Sequence, residues 1–480
     1  MFLPVAEDAI VSWHNAGMSN LRTLISYASN YVSSYRESAS QRKVAPSISA
    51  NQLRAALGGA LGRTGEDPQK VLEQLIAAAE PGIVASTGPR YFGFVTGGAL
   101  DAATAADIVA VGWDQSAFNF IMSPAGAVVE EVVGSWLKRL LGLPEHVSFG
   151  LVTGGQAANT MALAAARHQV LAKESWDVER KGLTGAPSLR VVASEERHVT
   201  IDRALRLLGM GTDCVVDVPT GPNGVIDVTA LATVLAGGRG PTIVCLQAGN
   251  VNTGSCDNLR AACEIARIHG AWTHVDGAFG LWAAANPATR GLVDGIELAD
   301  SWAVDGHKWL NVPYDSGYVF CAQPAAHRAS MSFSAAYLVG HGDEGTVRAP
   351  SDYVPESSRR ARGFATWAAL KELGSDGVAN LVGQCCSHAR RFADQLSLIN
   401  GVTIGNDVVL NQVLVHFGTD DRTMRVIDSL QSEGTCWMGG TTWRGRRYMR
   451  ISVSNWSTTE GDVDRSVAAV ARILSTVEPN

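Results

Sequence analysis

The stretch Asp300-Ser301-Trp302-Ala303-Val304-Asp305-Gly306-His307-Lys308-Trp309 sets a lysine between a histidine and a tryptophan, directly after a run that reads as a buried strand. Among apolar neighbours an ammonium loses hydration, which favours the neutral amine, and a neutral amine attacks an aldehyde to form a Schiff base. Lys308 is the candidate catalytic lysine. Upstream, His274-Val275-Asp276-Gly277-Ala278-Phe279-Gly280 ends a second strand-like run on a carboxylate. Asp276 is suited there to pair with a protonated ring nitrogen.

Outward from these two segments, residues 147–152, 189–193, 242–247 and 271–275 are short apolar runs that alternate with segments of helical period. Strands apolar on both faces and separated by helices predict an α/β fold with a largely parallel sheet. Ligands of such sheets collect at the carboxyl ends of the strands. His198, Asn250, Asp276 and Lys308 all follow strand-like runs closely. Thr153-Gly154-Gly155-Gln156-Ala157-Ala158-Asn159 lies between a strand and an Ala-rich helix, an order that aims backbone N–H groups and the positive helix end at a phosphate. It is neither a Walker A loop nor the dinucleotide pattern, and close packing of a helix on a strand also calls for such a glycine pair. A lysine, a ring-facing acid and a phosphate cradle are together what pyridoxal phosphate requires.

With 480 residues, 46% of them hydrophobic and 18% charged, the chain can bury a large core and form more than one structural unit. A formal net charge of −7 argues against a nucleic-acid partner and points to a small-molecule substrate. The first residues lack a basic segment followed by an apolar core, and nowhere do about eighteen apolar residues run together, so neither a signal peptide nor a membrane span is expected. The 8 cysteines, Cys385 and Cys386 adjacent among them, show no zinc-binding spacing. A reducing cytoplasm and no metal site are the expectation.

Residues 1–88 read as an N-terminal helical arm with apolar positions three to four apart, such as Leu21, Leu24, Ile25 and Ala28, crossed by a polar segment at 38–49. Such an arm is suited to packing on a partner subunit. Residues 89–356 form the expected large domain and 357–480 a smaller α+β domain, with strands near 408–417 and 448–453. Tyr91, Phe92 and Phe94 are interleaved with glycines, as in a loop presenting aromatic faces or anchoring the next helix. Ser123-Pro124 opens an amphipathic helix. Residues 334–358, rich in Gly, Pro and charge with Tyr337 and Tyr353 embedded, read as a lid over the site.

Taken in order, residues 153–159, Arg197-His198, 274–278 and 305–309 resemble the group II PLP-dependent amino-acid decarboxylases, which share the aspartate-aminotransferase (type I) fold. The resemblance runs from about residue 89 to residue 456, its most specific parts being His-Lys-Trp and His-Val-Asp. It implies a mostly parallel seven-stranded sheet sandwiched by helices, a homodimer, and decarboxylation of an L-amino acid, possible aromatic substrates included, through a Lys308 Schiff base. It also implies roles. Asp276 holds the pyridine nitrogen protonated, His198 stacks on the ring, Gly155, Gln156 and His307 meet the phosphate, and Ala278 lies beneath the ring. Asn250 or Asn252 reaches the ring oxygen. Phe94 and Thr96 line the substrate pocket, Arg450 is either a carboxylate-binding arginine or half of a structural ion pair, and Tyr337 before Tyr353 supplies the lid phenol that protonates the carbanion. The usual lid pattern is not reproduced between 335 and 355, which leaves aldehyde formation, Cα–Cβ cleavage and transamination as alternatives. A non-enzymatic PLP-binding module is the remaining one.

Overall fold

The computed structural model describes residues 7–333 and 348–477, with side chains from Leu21 onward. Seven strands form the large sheet: β1 (Ser148–Val152), β2 (Arg190–Ser194), β3 (Val215–Val218), β4 (Thr242–Gln247), β5 (Trp272–Asp276), β6 (Ser301–Asp305) and β7 (Gly317–Cys321). Their spatial order is β1-β7-β6-β5-β4-β2-β3, with β7 antiparallel to both neighbours and the other pairs parallel. Every residue of β4, β5 and β6 is buried, because helices cover both faces, although β5 and β6 also carry polar residues such as His274, Asp276, Ser301 and Asp305. The short edge strand β3 is not enclosed in this way: only one of its four residues is buried.

The N-terminal part consists of α1 (Glu7–Ser38), α2 (Ala50–Leu57) and α3 (Pro68–Ala79), followed by α4 (Asp101–Trp113), α5 (Pro124–Leu140) and α6 (Gly155–Lys173). The helix starts are chemically explicit. Ser49 and Gln52 close a capping box on α2, Asp67 caps α3, and Ser123 Oγ accepts the Gly126 N–H at 3.1 Å ahead of Pro124 in α5. The polar crossing after α1 is tied to the far end of the chain: Val44 N–H donates to Gly434 O, and Arg90 donates to Ser40 O, Arg42 O and Thr435 O while pairing with Asp462 at 3.3 Å.

A second, antiparallel sheet has the order β10-β11-β9-β8, from β8 (Thr403–Ile404), β9 (Gln412–His416), β10 (Gly439–Trp443) and β11 (Arg446–Ser452). The helical run Gly363–Ser397, broken at Gly374, packs on α4 and α5 and also on the helix Glu460–Thr476 near the C-terminus. It thereby joins the two sheets' cores into one apolar cluster.

Candidate active site

The carboxyl ends of the parallel strands open on a cleft. Gly155, Gln156, His198, Asp276, Ala278 and Lys308, six residues singled out from widely separated segments, line it. Alternation along β6 leaves Ser301, Ala303 and Asp305 on one face, and Lys308 follows in the next turn. The expected apolar setting of Lys308 is corrected here: its Nζ lies 3.0 Å from Asp305 Oδ2, and that carboxylate is only 2% exposed. Asp305 Oδ1 also accepts the Gly155 N–H and lies 3.5 Å from His307 Nε2. Ser316 N–H donates to His307 Nδ1 at 3.1 Å, which leaves the proton of a neutral ring on Nε2, turned toward Asp305. Burial pushes the His307 pKa below its ordinary value, in keeping with a neutral ring.

The glycine pair serves packing and cradle together. A Cβ on Gly154 would lie 2.7 Å from His307 Cε1, and one on Gly155 2.8 Å from Asp305 Oδ2. Only glycines let the first turn of α6 approach this closely, and the approach delivers the Gly155 N–H into the cleft. Gln156 Nε2 donates to Thr200 O at 3.2 Å.

Asp276 ends β5 with both oxygens engaged. Oδ2 accepts from Asn159 Nδ2 at 3.0 Å and Thr200 Oγ1 at 3.3 Å, and Oδ1 accepts the Ala278 N–H at 3.2 Å. His198 caps the helix Val199–Leu207, its Nδ1 accepting the Thr200 N–H at 3.3 Å, so a neutral ring carries its proton on Nε2. Burial is the largest influence on its pKa and lowers it, outweighing the opposing pull of Asp276.

Other expected residues stand elsewhere. Asn250 Oδ1 accepts the Asn252 and Thr253 N–H groups and its Nδ2 donates to Glu196, while Asn252 Oδ1 accepts from Thr441 Oγ1 at 2.8 Å. Both side chains are thus committed to holding the loop after β4, and Gln247, Gly249 and Val251 line the cleft in their place. Phe92 is an anchor, edge-on to Phe392 at 5.0 Å, whereas Phe94 is 67% exposed and leans on Trp437 at 5.3 Å, with Tyr91 stacked on the same indole. Thr96 lines a neighbouring groove with Gly97 and Tyr314 rather than the cleft. Arg450 donates to Val251 O at 3.1 Å and has no ion pair among the described residues. Tyr353 packs on His327 and Arg348, neither of which lines the cleft, and Tyr337 lies outside the described residues, as do all of 334–347.

Sequence reasoning passed over Asp305, Asn159, Thr200 and Gln247. Asp305 had a signal, as a carboxylate at the carboxyl end of a buried strand, and so did Asn159, one helical turn beyond Gly155.

Residues 51–417 match the family model described as the pyridoxal-dependent decarboxylase conserved domain. The chain belongs to this family. As a pyridoxal-dependent decarboxylase it is a carboxy-lyase acting on an amino acid, and its cofactor is pyridoxal phosphate. It is 25% identical over 469 residues to tryptophan decarboxylase 1 of Oryza sativa subsp. japonica, covering 91% of this chain and 90% of that protein. It is 23% identical over 484 residues to the 4-hydroxyphenylacetaldehyde synthase of Rhodiola rosea, covering 96% of each. The solved structure of Oryza sativa TDC with PLP and tryptamine superposes with a TM-score of 0.87 at 22% identity, over 100% of both chains, and so shares the fold.

Proposed function

We propose that this decarboxylase acts on an aromatic L-amino acid and that Lys308 is the residue joined to the cofactor. The observation that carries the reading is that Lys308 Nζ, the Asp276 carboxylate, His198 and the Gly155 N–H meet in one cleft. This donor set fits pyridoxal phosphate. Gly155 N–H at the head of α6 and His307 Nε2–H would hold the phosphate once turned to it from Asp305, and Asp276 would hold the ring nitrogen. When bound, the cofactor supplies an aldehyde for attachment and an electron sink for the pair released at Cα.

The chain's own residues do the rest. Asp305 keeps Lys308 Nζ inside the cleft. Asp276, held by Asn159 Nδ2 and the Ala278 N–H, would favour the protonated ring nitrogen, and neutral His198, with its proton at Nε2, would cover the ring. Arg450, lacking an anionic partner among the described residues, takes a substrate carboxylate. Phe94 beside Trp437 and Tyr91 offers an aromatic face to the substrate side chain, and the tryptophan decarboxylase relative supports the same substrate class. Tyr337 remains the proposed proton donor to Cα.

The same reading makes the protein a homodimer in a reducing cytoplasm, with an arm (1–88), a large domain (89–356) and a small domain (357–480). Its support is an exposed apolar patch running from Ile108, Val109, Val111 and Trp113 of α4 to Ile121 and Met122, and 8 free cysteines. No helix among the described residues is long and apolar enough to cross a membrane.

Incubating the cofactor-loaded protein with aromatic amino acids and analysing products by mass spectrometry tests the activity. Amine and CO₂ are expected. Aldehyde, ammonia and oxygen consumption would instead favour the second reading, to which the Rhodiola relative's name points. Borohydride reduction followed by peptide mapping should label Lys308, and a label on another lysine would sink its role. Tyr337→Phe should shift the amine-to-aldehyde ratio, while Tyr353→Phe should not.

A further inference from the structure

Asp276 is the end of a longer buried arrangement. Trp272 Nε1 lies 2.9 Å from Ser301 Oγ, Ser301 Oγ 3.1 Å from His274 Nδ1, His274 Nε2 2.9 Å from Asn159 Oδ1, and Asn159 Nδ2 3.0 Å from Asp276 Oδ2. All five side chains are buried, and they come from β5, β6 and α6. The direction of every bond is fixed from both ends. An indole only donates, so Ser301 Oγ accepts from Trp272 and its own hydrogen is free for His274 Nδ1. An ionised carboxylate only accepts, so Asn159 presents its NH₂ to Asp276 and its carbonyl oxygen to His274, whose Nε2 must carry the hydrogen. A neutral imidazole meets both demands. Burial pushes the His274 pKa down to about 4, leaving that neutral form at neutral pH.

We propose that Trp272, Ser301, His274 and Asn159 are positioning residues that act through Asp276, a one-way chain of hydrogen bonds that fixes the carboxylate's orientation and sustains its negative charge against the cofactor's ring nitrogen. The inference rests on the reading that Asp276 faces that nitrogen. Successive bonds pointing the same way polarise one another, so a donor four links away still strengthens the last bond. Satisfying buried polar groups would explain each bond singly. It does not require the bonds to share a direction that ends on the Asp276 carboxylate.

The test loads the full-length protein with pyridoxal phosphate carrying ¹⁵N in the ring and reads the nitrogen's chemical shift together with the cofactor's dissociation constant. Ser301→Ala removes the middle of the chain, and Trp272→Phe removes only its far donor, keeping a folded variant available should one fail. Each is expected to move the ring nitrogen toward its neutral value and to weaken cofactor binding by up to about twofold, since a distant link adds a fraction of one hydrogen bond's strength. The double variant should match the single ones, since both cut one chain. Asp276→Asn should produce a larger change of the same sign. A change in Asp276→Asn alone, with both chain variants like the parent, overturns the chain and leaves the Asp276 reading standing. No change in Asp276→Asn overturns that reading and the chain with it.

Discussion

Gly97→Ala is a one-carbon change that reaches Lys308, the proposed Schiff-base lysine, through its backbone. A Cβ at residue 97 would lie 1.9 Å from the Lys308 carbonyl oxygen, and non-bonded heavy atoms are essentially never closer than 3.0 Å to a Cβ. The two backbones must therefore part by at least 3.0 − 1.9 = 1.1 Å. Neither is free to do so without breaking bonds, because Asn311 Oδ1 accepts the Gly98 N–H at 2.6 Å and Asn311 Nδ2 donates to Trp309 O and Ser454 O. Displacing a reacting group by about 1 Å costs roughly 10²-fold in rate, equivalent to about 2.7 kcal/mol at the transition state. The assay is kcat/KM on the preferred amino acid, with the visible absorbance of the lysine-bound cofactor and the thermal midpoint followed in parallel. Gly291→Ala, whose Cβ would meet nothing within 4 Å, is the control and should leave kcat/KM unchanged. A folded Gly97→Ala protein with kcat/KM close to the parent's would refute the argument that this glycine sets the position of Lys308.

Asp276→Asn should leave the fold intact yet slow turnover by about a thousandfold or more, ~4 kcal/mol at the transition state; near-normal turnover in the folded variant would remove Asp276 from the chemistry. Acid should destabilise the protein in a definite window. Burial lowers the pKa of His274 to about 4 and of His327 to about 3, so between those values and the ordinary 6.5 the unfolded chain binds more protons than the folded one. The stability they contribute is present above pH 6.5 and falls as the pH drops below it, by up to ~1.4 kcal/mol per pH unit for each histidine. Urea midpoints at pH 7, 6 and 5 measure this, His327→Gln should flatten the slope, and a midpoint constant over that range would contradict it. Val111→Glu and Trp113→Glu on α4 should turn a dimer into monomers in sedimentation experiments; a parent protein that is already monomeric and active would count against the proposed interface.

Much of the site was legible before any coordinates. Lys308, Asp276, His198 and the Gly154-Gly155 turn each follow a strand-like run, and the carboxyl ends of parallel strands must converge, so residues far apart in sequence could be assigned to one cleft. The resemblance added roles to residues that the pattern had already gathered. The helix start at Ser123 is equally local, since a side-chain oxygen three residues from an unpaired N–H needs nothing distant to act.

What the chain's order could not supply is which polar side chain turns toward which. Asn250 and Asn252 follow a strand just as Asp276 does, yet their side chains are drawn to Glu196, to neighbouring backbone N–H groups and to Thr441, and the direction of a loop side chain depends on those partners. Lys308 read as a lysine among apolar neighbours because strand residues 301–304 and Trp309 surround it in sequence. Its actual neighbour is Asp305, brought against Nζ by the turn after β6, and the same carboxylate takes the Gly155 N–H from a helix 150 residues earlier. The pattern of apolar residues determined the sheet's buried strands, their ends and the candidate lysine, though not the edge strand β3, because burial of a face is written into a segment itself. Tertiary packing alone decided the long-range hydrogen bonds of the cleft, Gly155 to Asp305 and Asn159 to Asp276, because these pair groups from segments that only the assembled sheet brings together.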